Sequence, residues 1–417
     1  MLFVGKRRVQ VASDLAAVTT IDHEAECDPI DAEMSTAGVN RIWQSMEDLY
    51  RAGVHPALTL VLRRRGKIVI KRTLGCVRGN GPGEPGPQHP LDTDAPQCLF
   101  SASKAITALL IFKLRDEGKL DLDDKVTKYV PEFAQGGKGH ITLLDLMTHR
   151  AGVPFIPKEH RNPDLLRDYD NVVKLICESE SQDKGLRKQG YHALTAGYIV
   201  GEIIRRVGDI ELQDALHDWL AEPLGCQHLT YGVAPEVRDQ VPLNAATGQG
   251  LIWPINHYME RIVAVPFEDA VRESNDDAFM SSIVPAGNIY ASGDDLCRVF
   301  EMLLNQGSWN GQQILSKDSV AAAIKPASGL QIDRTLLLPM RYSPAFMLGE
   351  NPVGIYGPMT GEAFGHLGLL NMLGWADPSR DISVAFLNTG KSFAAAGVYR
   401  LFRVLFAIGN ACKPVTA

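Results

Sequence analysis

Residues 101–117 have the length and composition of a helix in which Ile106, Leu109, Leu110, Ile111 and Leu114 leave almost no polar face. A helix apolar on most sides needs other elements to cover it, so this segment predicts the centre of a large fold. Gly118 follows, the residue type that most readily ends a helix in a left-handed conformation.

The segments around it imply what does the covering. Residues 57–62 and 67–74 are β-rich runs separated by Arg63-Arg64-Arg65-Gly66, which predicts a hairpin. Residues 372–376 and 382–388 read as neighbouring strands joined at Asp377-Pro378-Ser379-Arg380. Helical patterns cover 40–52, 141–150, 171–179, 195–206, 211–221, 294–305 and 393–408, whereas 1–36 reads as an arm and 240–285 as irregular. Strands at both ends with helices between them predict an α/β fold. It is an antiparallel sheet flanked by helices, built from residues 1–120 plus 281–417, with a mainly helical lobe inserted over 121–280.

Bulk properties exclude several functions. The 417 residues carry a net charge of −7 with acids and bases interleaved, so there is no basic face for nucleic acid. Seven cysteines, odd in number and without a CxxC, predict neither a disulfide framework nor a zinc site. Lys6-Arg7-Arg8 is followed by a run broken at Gln10, Ser13 and Asp14, so no export signal is expected. No run approaches the roughly 20 apolar residues of a membrane span. The expectation is a cytoplasmic protein without metal or organic cofactor. The Gly/Pro stretch 79–90 opens no helix and its prolines lack amide donors, so it is no nucleotide loop.

Ser101-Ala102-Ser103-Lys104 heads the buried helix. Positions i and i+3 share a helical face, which places the lysine amine beside the serine hydroxyl. A hydroxyl needs an adjacent base to become a nucleophile. Lysine, ordinarily at a pKa of about 10.4, can be that base near neutrality once desolvated. A second Ser-x-x-Lys, Ser181 to Lys184, lies in a polar run with no apolar helix behind it and reads as exposed loop.

Residues 100–133 (FSASKAITALLIFKLRDEGKLDLDDKVTKYVPEF) resemble the active-site helix and following loop of the serine β-lactamase-like superfamily. That superfamily includes class C β-lactamases, DD-peptidases, family VIII carboxylesterases and lovastatin-type acyltransferases. Residues 141–152 (ITLLDLMTHRAG), Pro285-Ala286-Gly287 and 292–296 resemble its later segments, in its order, and the likeness spans about residues 55–390. The resemblance implies a catalytic tyrosine at Tyr191, in Tyr191-His192-Ala193, where Ala193 replaces the asparagine of a β-lactamase. It also implies a third motif at Gly365-His366-Leu367-Gly368, which is the His-x-Gly form instead of Lys-Thr-Gly. His366 and Gly368 would line the substrate site, and the Leu369 N–H would be an oxyanion donor beside that of Ser101.

The expectation is therefore a serine hydrolase, preferentially a carboxylesterase, that acylates Ser101 while Lys104 and Tyr191 move the proton. The partner is a small ester or amide. Acyl transfer, D-peptidase or β-lactamase-type amide cleavage, and a catalytically silent binding protein are the alternatives. There is no Gly-x-Ser-x-Gly elbow and no His-Glu-x-x-His to support other hydrolase chemistries. Tyr198 and His149 read as packing or loop-anchoring residues, and the oligomeric state is left open.

Overall fold

A computed structural model of the chain describes residues 7–84, 86–160, 163–182, 186–251 and 253–415. The amino-terminal segment is not a free arm, as expected above, but contributes an edge strand, Thr19–Ile21 (β1), to the main sheet. Its short length and lack of alternation hide it from the sequence. The predicted hairpin is present as Ala57–Arg64 (β2) and Lys67–Arg78 (β3), its turn residues Arg65 and Gly66 both at positive φ. The remaining strands are His89–Pro90 (β4), Met347–Leu348 (β5), Phe364–Leu367 (β6), Leu373–Asp377 (β7) and Ile382–Asn388 (β8). The order is β1-β3-β2-β8-β7-β6-β5, with β4 on β3, and every pairing is antiparallel. Strands from the two ends of the chain meet at β2 and β8, from Leu58 opposite Asn388 to Arg64 opposite Ile382.

Both faces of that junction are covered, which is why β2 and β8 are buried along their whole length. One face packs on helices Thr36–Tyr50 (α1) and, at the carboxyl end, Ala395–Ala411, through Leu58, Leu60, Val384, Phe386, Trp43 and Leu405. The other face packs on Ser103–Asp116 (α2) and Gly293–Leu304, through Val61, Ala385, Leu387, Leu109, Leu296 and Phe300. Residues 103–112 of α2 are all buried, and Gly118 closes the segment at φ +68°. The chain between continues with helix Thr195–Gly208 (α3). Residues 240–285, expected as irregular, contain helices Ile255–Val263 (α4), Phe267–Glu273 (α5) and Asp277–Met280. Pro254 and Pro266 punctuate the stretch, and the helices between and after them are short, so they read as loop. Gly293–Leu304 and Ala395–Ala411 complete the helices used below as α6 and α7.

Among the described residues no helix is long and apolar enough to cross a membrane. All seven cysteines are free thiols. We propose the same two-part division, 1–120 plus 281–417 and 121–280, because the main sheet draws strands only from residues 19–90 and 347–388.

The sheet is locked to α6 by a charge cluster. Arg63, buried on β2, pairs with Asp294 at 2.9 Å and with Glu301, both on α6. Removing one member of such a cluster strands the opposite charge in a dry site. Arg63→Met is expected to destabilise the fold by about 3–5 kcal/mol in urea unfolding. A loss below about 1 kcal/mol would mean that this cluster does not hold the sheet to α6.

Candidate active site

The segment before Ser101 is tied down on both sides. Gln97–Cys98 pairs with Ile289–Ala291, and the Leu99 N–H donates to the Ile289 carbonyl at 2.8 Å. Phe100–Ala102 then forms a 3₁₀ turn that runs into α2. Phe100 sits at φ +45°, a region bulky residues rarely adopt, and strain of this kind persists only where the surroundings enforce it. The turn presents Ser101 at the amino end of the buried helix.

Lys104 lies one turn on. Its Nζ donates to Ser101 Oγ at 3.2 Å and to the Ala286 carbonyl at 2.9 Å. Two bonds fix the position of that carbonyl: Thr107 Oγ1 donates to the Pro285 carbonyl at 2.8 Å, and the Ile289 N–H donates to Ser103 Oγ at 3.0 Å. α3 must also come close. A Cβ at Gly197 would stand 2.7 Å from the Ala286 side chain, so glycine is required there. Burial pulls the Lys104 amine down to about 7. Among the described residues it has no carboxylate partner, so nothing restores the charged form.

Tyr191 joins the pair. Its ring lies 5.1 Å from Lys104 Nζ and edge-on to His149 at 4.7 Å. Burial pushes the phenol up, opposed by the Ser101 hydroxyl nearby, although Tyr191 Oη makes no hydrogen bond of normal geometry. Catalytic bonds are often long in a free enzyme and tighten around substrate. The Tyr191 N–H donates to Asp333 Oδ1 at 3.0 Å, and Asp333 also accepts from the N–H groups of Thr335 and Leu336 and from Tyr342 Oη. Asp333 is fully buried. It is a solitary acid in a stretch without periodicity, and no sequence signal marked it. Tyr198, the rival tyrosine, donates instead from α3 to the Leu166 carbonyl at 3.0 Å. His149 accepts at Nδ1 from the His192 N–H at 3.3 Å and packs beneath Tyr191.

His366 lies behind this group. Its ring centre is 6.1 Å from that of Tyr191, and with Lys104, His149 and Tyr342 it walls a small cavity of about 40 Å³. Nδ1 lies 2.7 Å from the Leu367 carbonyl, which can only accept, so Nδ1 carries the proton. Burial, then the Lys104 charge, pull its pKa down to about 3, and the imidazole is neutral. Gly368 and Leu369 instead face the larger cavity with Ser101. A Cβ on Gly368 would come within 2.7 Å of the Leu99 carbonyl, so glycine lets the end of β6 meet the serine turn. The Gly368 N–H is used by the Met372 carbonyl, whereas the Leu369 N–H has no acceptor among the described residues. The other Ser-x-x-Lys has Ser181 in a loop, and Lys184 lies outside the described residues.

The larger cavity holds about 430 Å³. Beyond Ser101, Tyr191 and Ala193 its walls are mostly aliphatic, including Ile255, Met259 and Ile262 of α4, with Leu336 and Leu338 opposite. Tyr258 lines it as well, whereas Trp253 points to solvent at 78% exposure. Arg167 and Glu273 are the charged groups on its wall.

A serine in the turn that opens a buried helix, with a lysine on that helix's first turn, an antiparallel sheet beside them and a tyrosine loop facing them, defines the penicillin-recognising type of serine site. The family model described as Beta-lactamase matches residues 44–407, and the chain belongs to that family. It is 28% identical over 311 residues to the esterase/beta-lactamase LipL of Mycobacterium tuberculosis, spanning 72% of this chain and 70% of that one. A penicillin-binding protein homologue from Caulobacter crescentus superposes with TM-score 0.74 at 27% identity, over 89% of this chain and 98% of the other. A family VIII carboxylesterase has the same fold, with TM-score 0.76 at 23% identity over 89% and 98%.

Two outcomes follow from this geometry. Tyr191→Phe should leave the melting temperature nearly unchanged and lower turnover by about 10²-fold or more, as for loss of a general acid–base group; near-normal turnover in the folded variant would reduce Tyr191 to packing. The pH profile of kcat/KM should fall on the acid side with an apparent pKa near 7, since protonation of Lys104 removes its lone pair. An acid limb near 4, with activity flat between pH 5 and 9, would exclude the lysine as base.

Proposed function

We propose that the chain hydrolyses neutral carboxylic esters with an apolar acyl or alcohol group, through an acyl-enzyme on Ser101. The observation that carries this reading is the aliphatic cavity of about 430 Å³ opening on Ser101. Ser101 Oγ attacks the ester carbonyl carbon while its proton passes to the Lys104 amine. The carbonyl oxygen, now negative, takes hydrogen bonds from the N–H groups of Ser101 and Leu369. Collapse breaks the bond to the alcohol oxygen, which takes a proton relayed from Lys104 through Tyr191. Water then attacks the acyl carbon by the same route in reverse, releasing the acid and restoring Ser101. Burial moves the two groups apart, lysine down and phenol up, so the amine is the base and the phenol passes and donates protons.

Two features favour neutral esters over β-lactams. Ala193 offers no amide where a β-lactamase has asparagine, and each lost hydrogen bond removes about 0.5–1.5 kcal/mol. A neutral His366 provides no charge to hold a substrate carboxylate. The free thiols support a reducing, cytoplasmic setting.

For p-nitrophenyl esters, kcat/KM should rise from acetate to butyrate to hexanoate, since each buried CH₂ contributes about 0.8 kcal/mol. Nitrocefin should turn over far more slowly on the same preparation. A nitrocefin value equal to or above the ester values would replace the ester assignment with a β-lactamase one.

A further inference from the structure

One buried cation has no part in the chemistry above. Lys391, just beyond β8, is 1% exposed. Its Nζ donates to the Asn388 carbonyl at 2.7 Å and to Asn388 Oδ1 at 3.3 Å. The same nitrogen stands 4.7 Å from the centre of the Phe100 ring. Among the described residues it makes no ion pair, so a π face and two amide oxygens are what compensate an ammonium taken out of water. Its main chain is held too, paired with Ala246 and accepting from the Thr247 N–H at 3.1 Å.

The side-chain contacts of Lys391 lead to the two halves of the proposed oxyanion site. Phe100 carries the positive φ that sets up the turn presenting Ser101. Asn388 reaches with Nδ2 to the Leu370 carbonyl at 3.5 Å. Leu370 and Asn371, both also at positive φ, form the loop that carries the Leu369 N–H. These two strained backbone pieces come from residues far apart in the chain, and Lys391 with Asn388 bridges them.

We propose that Lys391 is a positioning residue: it clamps the Phe100 ring on one side and, through Asn388, the Leu369–Asn371 loop on the other, and so sets the spacing of the two N–H groups that receive the oxyanion. The inference rests on the assignment of Ser101 as nucleophile and is independent of which ester is the substrate. Burial pulls the Lys391 amine down to about 7 against the opposing effect of the Cys98 thiol. The other ionisable groups near it are His55, itself held low mainly by burial, and the Arg7–Glu268 pair across a small cavity.

The test uses the full chain with Lys391→Met, Phe100→Leu, the double variant, and Asn388→Ala. Readouts are the melting temperature, kcat and KM for p-nitrophenyl butyrate, and the rate of fluorophosphonate labelling. Lys391→Met should keep KM within about 2-fold while kcat and the labelling rate fall together by about 10²-fold, the loss expected for a misplacement near 1 Å. The double variant should be no slower than the worse of its two single variants, because both break one linkage. Asn388→Ala tests the other arm should Lys391→Met fail to fold, and should show the same loss in kcat alone. Near-normal kcat in a folded Lys391→Met or Asn388→Ala protein, a loss confined to KM, or multiplying losses in the double variant would overturn the proposal. Failure of the wild-type chain to label at all would instead refute the Ser101 assignment.

Discussion

A lysine amine buried without a carboxylate partner among the described residues is the constraint on which the rest of this fold is arranged. Lys104 gains its depressed pKa only because α2 is buried over nearly its whole length. Burying such a helix takes a sheet on one side and the helical middle of the chain on the other. The sheet in turn closes only where β2 meets β8, strands about 320 residues apart in sequence. The Ala286 carbonyl then holds the amine towards Ser101, and Gly197 allows the approach that puts the carbonyl there. Stability and reactivity are opposed at this point: the packing that stabilises α2 is what makes a charged Lys104 costly.

The two cavities at the site differ in what lines them. Lys104, His149, His366 and Tyr342 enclose a cavity of about 40 Å³, room for little more than a water, on one side of Ser101 and Tyr191. The roomy aliphatic cavity lies on the other side. On the proposed reading, a hydrophobic substrate group excludes water from the serine without competing for the amine. The neutral imidazole of His366 fits the proposed mechanism, since a charge there would oppose an ammonium forming on Lys104.

How much of this could be read from sequence depended on whether the cause was local. The Ser101–Lys104 pair, the greasy helix behind it and the 57–74 hairpin each depend on neighbours within a few residues, and all three are present in the fold. Tyr191 and the His366–Gly368 stretch came from likeness to a family and lie beside the same serine, with His366 facing the smaller cavity. Asp333 and Lys391 were invisible because what places them is mostly main-chain atoms and, for Lys391, the distant Phe100 ring, which no spacing rule encodes. The strand Thr19–Ile21 and the helix Ile255–Val263 were missed for a different reason. Each is short and neither contains a fully buried residue, so no apolar run marked it.

The central claim is that the environment around α2 activates one serine out of all those in the chain. Intact-mass analysis after treatment with a fluorophosphonate, followed by peptide mapping, tests it most directly. The account predicts a single adduct, on the peptide containing Ser101, absent from a folded Ser101→Ala protein and unchanged in Ser181→Ala. An adduct on another serine, or full labelling of the Ser101→Ala protein, would contradict it.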